Sequence, residues 1–351
     1  MKRARTNTSA EQAVDLVRLA EIVEQFSAKK VVMFGDFVAD EFQYGDISRV
    51  SREAPVLILK HRETKLAPGG GANATHNLAA LGAKVIPVTV IGDDAAGEAL
   101  INFFRVLGVD TSGTVRAGKW TTPTKTRFLA GWAHTTAQQV LRVDREPSAK
   151  LSEGVEKQLA AKLLAKARKA DALAVSDYGF GSAAPETVRA ASKKIKKGAP
   201  VTLDARYGLT RYANSGLTSA TPNEAELEAL HHTAIGKNLV ELERCGRLTL
   251  AAMKIDSLLV TRGRDGIALF EKNGSRLTQI PVHGSDQAVD VTGAGDTVLA
   301  AYTLALACDA SPLEAAHIAN IAGGLVVMKR GTATVSRAEL LEAIRREGSG
   351  A

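Results

Sequence analysis

Cysteine is nearly absent from this chain: of 351 residues only Cys245 and Cys308 carry a thiol, and neither has a His or Cys neighbour at metal-ligand spacing. That excludes a disulfide scaffold and a zinc ribbon, and it suits a reducing compartment. Aromatic residues make up 5% of the chain and do not interleave with its basic residues, so the stacking platforms of a nucleic-acid binder are missing. No apolar run approaches the length of a membrane span. Residues 1–5 are basic, but no apolar stretch of signal-peptide length follows before the charged residues 11–24. The expected location is therefore the cytoplasm. Gly-x-x-x-x-Gly-Lys-Ser/Thr does not occur, and no glycine fingerprint follows the first strand, which excludes P-loop and dinucleotide-binding Rossmann chemistry. No repeat or low-complexity linker divides the chain.

The charge is modest. Lys plus Arg is 45 against 38 Asp plus Glu, a net +7 with an isoelectric point near 9.3. The excess is spread along the chain, so no nucleic-acid or membrane partner is expected; a mildly basic surface suits small anionic ligands. Residues 1–9 read as disordered. Residues 10–28 place Val14, Leu16, Val17, Leu19, Ile22, Val23 and Phe26 at helical spacing, an N-terminal helix preceding the main domain of residues 31–351. Residues 31–34 form a short β-branched and aromatic run ending at Gly35, the pattern of a buried parallel strand. Strand-like and helix-like segments then alternate to residue 261, which predicts an α/β fold with a mostly parallel sheet covered on both faces. Two stretches, residues 41–64 and 114–145, lack helical periodicity and are rich in β-formers. They read as a small β-sheet lid, whose exposed face makes lid-to-lid homodimerisation an expectation.

The chemistry concentrates in Asp290-Val-Thr-Gly-Ala-Gly-Asp296, followed by an apolar, Ala-rich run over residues 297–307. Gly293 and Gly295 permit a tight turn whose amides converge on an anion, and the following helix adds its positive end. Asp296 falls in the first turn, where a carboxylate is favoured and can take a proton from a hydroxyl beside the anion. A glycine turn with a capping aspartate looks the same in isolation. Two further segments tip the balance: Pro68-Gly-Gly-Gly-Ala-Asn73 and Thr221-Pro-Asn-Glu-Ala-Glu226.

In this order the three segments resemble the ribokinase-like (PfkB) carbohydrate kinases, over residues 31–335. Gly35-Asp-Phe-Val-Ala-Asp40 with Tyr44-Gly-Asp-Ile-Ser-Arg-Val-Ser-Arg-Glu-Ala-Pro-Val56 is similar to the heptose-7-phosphate kinases among them. The resemblance implies a three-layer αβα sandwich with a β-sheet lid, and an ATP- and magnesium-dependent sugar kinase. It implies Asp296 as base, with the amides of Gly293, Ala294 and Gly295 as anion hole. The acceptor sugar falls to Asp36, Asp40, Gly70, Gly71 and Asn73. A phosphate already on the sugar requires cations, for which Lys125, Arg127 and Arg206 are the candidates, with Arg49 and Arg52 further out on the lid. Lys125 and Arg127 are two apart on a strand and share a face. Asn223, Thr261, Gly263, Gly266, Asn320 and Gly324 are implied for the nucleotide, with Asn320 and Gly324 equally readable as helix-packing residues. Glu226 is implied for magnesium through water, and Asp290 and Thr292 for a monovalent cation such as K+. The heptose kinases carry lysine where this chain has Phe180, and Asp-Pro-Lys where it has Asp204-Ala205-Arg206. No nucleotidyltransferase segment follows residue 351, so a stand-alone kinase is expected. Another sugar kinase of this fold, or a non-catalytic regulator, are the alternatives.

Overall fold

The computed structural model describes residues 14–132, 137–284 and 287–348. The expected disorder of residues 1–9, the first part of the N-terminal helix and residues 133–136 of the expected lid stretch 114–145 lie outside them. The chain runs α1 (Leu16–Glu24), β1 (Lys30–Gly35), β2 (Phe37–Val50), β3 (Leu57–Gly70), α2 (Gly71–Ala80), β4 (Lys84–Val88), β5 (Val90–Gly92) and α3 (Ala95–Val106). Next come β6 (Val115–Ala117), β7 (Thr124–Gly131), β8 (Gln138–Arg145), α4 (Glu153–Ala167), β9 (Ala172–Asp177), α5 (Pro185–Ser192), β10 (Val201–Ala205) and β11 (Ser219–Ala220). The last third holds α6 (Glu224–His231), α7 (Leu239–Met253), β12 (Ser257–Thr261), β13 (Ile267–Glu271), β14 (Thr278–Ile280), α8 (Ala294–Ala307), α9 (Pro312–Val326) and α10 (Arg337–Gly348).

An eight-stranded sheet in the order β14-β13-β12-β11-β10-β9-β1-β4 forms the centre. Every pair from β4 to β12 is parallel; β13 and β14 continue antiparallel as a meander at one edge. Alternation along β1 shows why both faces are covered. Val31 and Met33 pack with α1, α2, α8 and α9 on one side, while Val32 and Phe34 pack with α4 and α7 on the other. The two cysteines sit one in each of these cores, Cys308 in the first and Cys245 in the second, both buried.

A second sheet of four strands, in the order β3-β2-β7-β8, stands at the carboxyl ends of the central strands. It is continuous with the body: β2 begins one residue after β1 ends, and β3 runs directly into α2. The lid strands differ in extent from residues 41–64 and 114–145. β2 and β3 reach down to Phe37 and Gly70, whereas Val115–Ala117 pairs in parallel with Val90–Gly92 as a separate ribbon and stays out of the lid. All of β8 is exposed, including Leu141 at 55% and Val143 at 43%, which are two apart and therefore on one face.

Candidate functional site

Asp296 lies in the first turn of α8, buried at 4% exposure. The turn before it needs glycine at 293 for two reasons. Gly293 has φ +79°, and a Cβ there would lie 2.3 Å from the Asn73 amide nitrogen. At Gly295 a Cβ would meet no protein atom within 4 Å, so internal packing does not demand that glycine. The Asn73 Nδ2 donates to Asp296 Oδ2 at 2.8 Å, and the Tyr178 hydroxyl donates to Oδ1 at 3.3 Å. Behind them Asn77 Nδ2 donates to the Asn73 carbonyl (3.0 Å), and the Thr297 hydroxyl donates to Asn77 Oδ1 (2.9 Å), a buried chain that fixes α2 against α8. Burial pushes the Asp296 carboxyl up to about 7, the Asn73 and Tyr178 donors oppose it, Asp40 adds to it and Lys125 counters it. A carboxylate tuned near neutrality beside helix-terminal amides has the properties of a general base next to an anion site.

The expected acceptor residues divide. Gly70, Gly71 and Asn73 form the junction of β3 and α2, with the Gly71 amide donating to the Asp36 carbonyl at 2.9 Å. Asp40, 5% exposed, faces Lys125 across the parallel β2–β7 register. Asp36 is fully buried, and its carboxylate accepts the amides of Tyr178 (3.0 Å), Phe180 (2.9 Å) and Ser182 (2.8 Å). It holds the 178–182 loop from beneath. Burial raises its carboxyl, with the amides of Phe180 and Ser182 opposing.

The cations also part company. A cavity of about 710 Å³ is lined by Lys125 and Arg142 from the lid and by Tyr178, Phe180, Arg206 and Arg211 from the body. Arg127 shares a lid face with Lys125, but its Nη1 lies 2.6 Å from Asp40 Oδ1 and its guanidinium sits over the Phe42 ring at 5.3 Å; it is not among the lining residues. Arg49 and Arg52 lie at the far end of the lid. Burial lowers the Lys125 ammonium, Asp40 opposes that, and Arg206 and Arg142 push the same way as burial. Tyr178, Arg142 and Arg211 were not expected from sequence. Arg142 lies on a strand whose register no short motif encodes, and Tyr178 is an ordinary residue of Ser176-Asp-Tyr-Gly-Phe-Gly181.

On the other side of the α8 N-terminus a smaller pocket of about 180 Å³ is lined by Thr261, Gly263, Gly266, Gly295, Asn320 and Gly324, among others. Asn320 donates to the Pro281 carbonyl at 2.7 Å, and a Cβ on Gly324 would lie 2.5 Å from the His283 carbonyl oxygen, so α9 packs against the 281–283 segment rather than another helix here. Asn223 and Glu226 form a reciprocal capping box on α6: Asn223 N donates to Glu226 Oε2 at 2.9 Å and Glu226 N to Asn223 Oδ1 at 2.8 Å. Burial raises Glu226, the Asn223 amide and Arg206 opposing. Asp204, whose carboxyl is raised first by burial and then by Glu226, Asp296 and Asp177, lies near it. Among the described residues no group of three or more His, Cys, Asp or Glu is placed to hold a metal ion. A single carboxylate acting through water, the arrangement magnesium tolerates, needs no such group. Asp290 Oδ1 accepts the Thr292 amide (2.9 Å) and Oδ2 the Gly331 amide (3.0 Å); burial pushes this carboxyl up, but those amides prevail and hold it below its ordinary value.

Comparison with known proteins gives a family and a fold. Residues 28–339 match the family described as pfkB family carbohydrate kinase. The relatives named bifunctional protein HldE include those of Pelobacter propionicus, 34% identical over 94% of this chain and 66% of the relative, Geobacter metallireducens, 36% over 88% and 62%, and a Caulobacter species (strain K31), 40% over 92% and 64%. The chain thus spans less than two thirds of those relatives' length. In fold it is similar to Arabidopsis thaliana ribokinase complexed with ribose and ATP, with a TM-score of 0.70 and 20% identity over 90% of this chain and 99% of the other. Escherichia coli phosphofructokinase-2 in complex with potassium gives 0.72 and 20% over 91% and 99%.

Proposed function

Since the chain belongs to the pfkB family of carbohydrate kinases, and is thereby a phosphotransferase with an alcohol acceptor, we propose that it phosphorylates D-glycero-D-manno-heptose 7-phosphate at the anomeric hydroxyl, giving the 1,7-bisphosphate. The observation that carries this reading is the position of Asp296: it follows Gly295, which lines a small, mostly apolar pocket that suits a nucleotide, and it accepts from Tyr178, which lines a larger pocket with Lys125, Arg142, Arg206 and Arg211 that suits a sugar bearing a second anion. Burial, Arg206 and Arg142 lower the Lys125 ammonium while Asp40 and Asp144 oppose them, and an anionic acceptor would favour its charged form. Arg206 and its neighbours stand in for the lysines that the heptose kinases carry at the positions of Phe180 and Arg206.

Asp296 takes the proton of the acceptor hydroxyl as its oxygen attacks the γ-phosphorus of ATP, and the amides of Gly293, Ala294 and Gly295 stabilise the charge on the transferred group. Asp40 accepts hydrogen bonds from the sugar. Glu226 holds magnesium through water, and the bound ion supplies charge neutralisation on the phosphates. Asp290 and Thr292 are assigned to a monovalent cation. The Leu141 and Val143 face of the lid is assigned to a second copy of the chain, in the cytoplasm, and a single monomeric species by light scattering would remove that assignment.

The function is tested by magnesium-dependent ADP release from ATP over a panel of acceptors: heptose 7-phosphate, fructose phosphates, ribose and nucleosides. Turnover of heptose 7-phosphate that vanishes in Asp296→Asn supports the proposal. Turnover of another acceptor alone keeps the base and discards the heptose. No turnover on the whole panel, with ATP bound, leaves a regulator.

A further inference from the structure

Tyr178 belongs to none of the expected motifs, yet it touches both the base and the lid. Its backbone amide donates to Asp36 Oδ2 at 3.0 Å, which fixes where the residue leaves β9. Its ring lies against Gly70, where a Cβ would come within 3.2 Å of Tyr178 Cδ2. Its hydroxyl donates to Asp296 Oδ1, the oxygen that Asn73 does not occupy, and the Lys125 ammonium of β7 stands 5.4 Å from its ring centroid. The carboxylate is therefore held at both oxygens, from α2 and from the loop after β9, and the second holder lies beside Lys125 of the lid.

We propose that Tyr178 is a positioning residue: its hydroxyl fixes the rotation and ionisation of the Asp296 carboxylate, and its ring couples that carboxylate to Lys125 on the lid. This rests on Asp296 being the base. A donor to a carboxylate favours the charged form, which is the form a base needs, and here it works against burial. The other charged groups around the pair come from separate elements. Asp40 of β2 disfavours the ionised base and Lys125 favours it; Asp204 of β10 raises the phenol and Arg206 lowers it.

The test compares Tyr178→Phe, which keeps the ring beneath Lys125 and loses the hydroxyl, with Tyr178→Leu, which loses both. In the natural chain the rate rises with pH through about 7 as Asp296 loses its proton. In Tyr178→Phe that rise moves to higher pH, so the rate falls roughly tenfold on the acid side and much less on the alkaline side, with acceptor KM little changed. Tyr178→Leu shows the same displacement and also a higher acceptor KM, because Lys125 loses its seat. A second readout needs no turnover: carbon NMR of the Asp296 carboxyl, titrated in the natural chain and in Tyr178→Phe, gives a higher midpoint in the variant. An unchanged midpoint in Tyr178→Phe, or a uniform loss of rate at every pH, overturns the proposal. If no acceptor is phosphorylated, the kinase reading fails by itself, and the NMR titration still decides whether Tyr178 governs Asp296.

Discussion

The two pockets on either side of the α8 N-terminus are built from different materials. The smaller is walled mainly by glycines and apolar residues, with one cation, Arg264, and with Gly266, Asn320 and Gly324 against main-chain atoms of residues 280–283. The larger is walled by long charged side chains converging from β7, β8 and the segment after β10. A site made of backbone changes little when side chains change; one made of side chains can be retuned residue by residue while the fold stays the same. The first material suits a donor shared by many relatives, and the second suits an acceptor that differs among them.

The contrast can be broken at its boundary first. Asp296→Asn should lower kcat by about a thousandfold while leaving both substrates bound, measured as KM or by calorimetry. On the acceptor side, Arg206→Ala should raise acceptor KM by about ten- to a hundredfold and leave ATP KM alone, since it removes one charge-assisted contact to the anion. On the nucleotide side, Gly324→Val should do the reverse with a smaller effect, roughly tenfold on ATP KM, because its Cβ meets the His283 carbonyl and shifts one wall. If either variant altered both constants equally, the two pockets would not be separable.

The smallest effect is on stability. Burial pushes the Asp296 carboxyl from 3.8 up to about 7, so the contribution of this group to stability is largest below the lower value and is lost as pH rises through the upper one. Replacing the carboxylate by Asn removes that decline. Asp296→Asn should therefore melt several degrees above the natural chain at pH 8, with the gain shrinking toward pH 4, as followed by calorimetry across pH.

How much of this was legible in the sequence follows from the same contrast. The strand at residues 31–34 and the alternation of strands and helices up to residue 261 are set by local pattern and appear where expected. So does the glycine turn before Asp296, because its conformation is a property of a few consecutive residues. The destinations of side chains were not legible. Asn73 reaches Asp296 across 223 positions and Tyr178 across 118, and nothing local announces either contact. Lys125 and Arg127 share a face as their spacing requires, yet Lys125, opposite Asp40 in the register with β2, turns to Tyr178, while Arg127, opposite Phe42, reaches along the strand to Asp40. Residues 115–117 have the composition of a lid strand and pair elsewhere, since β-propensity specifies a strand without naming its partner.

Both natural thiols are sealed inside the two cores. A cysteine introduced on β8, at Val143 for instance, would then be the single site open to a maleimide dye or a spin label. The distance from such a probe to a nucleotide analogue carrying a second reporter would make the separation of the lid from the nucleotide pocket observable one molecule at a time, without first removing any residue on which the cores depend.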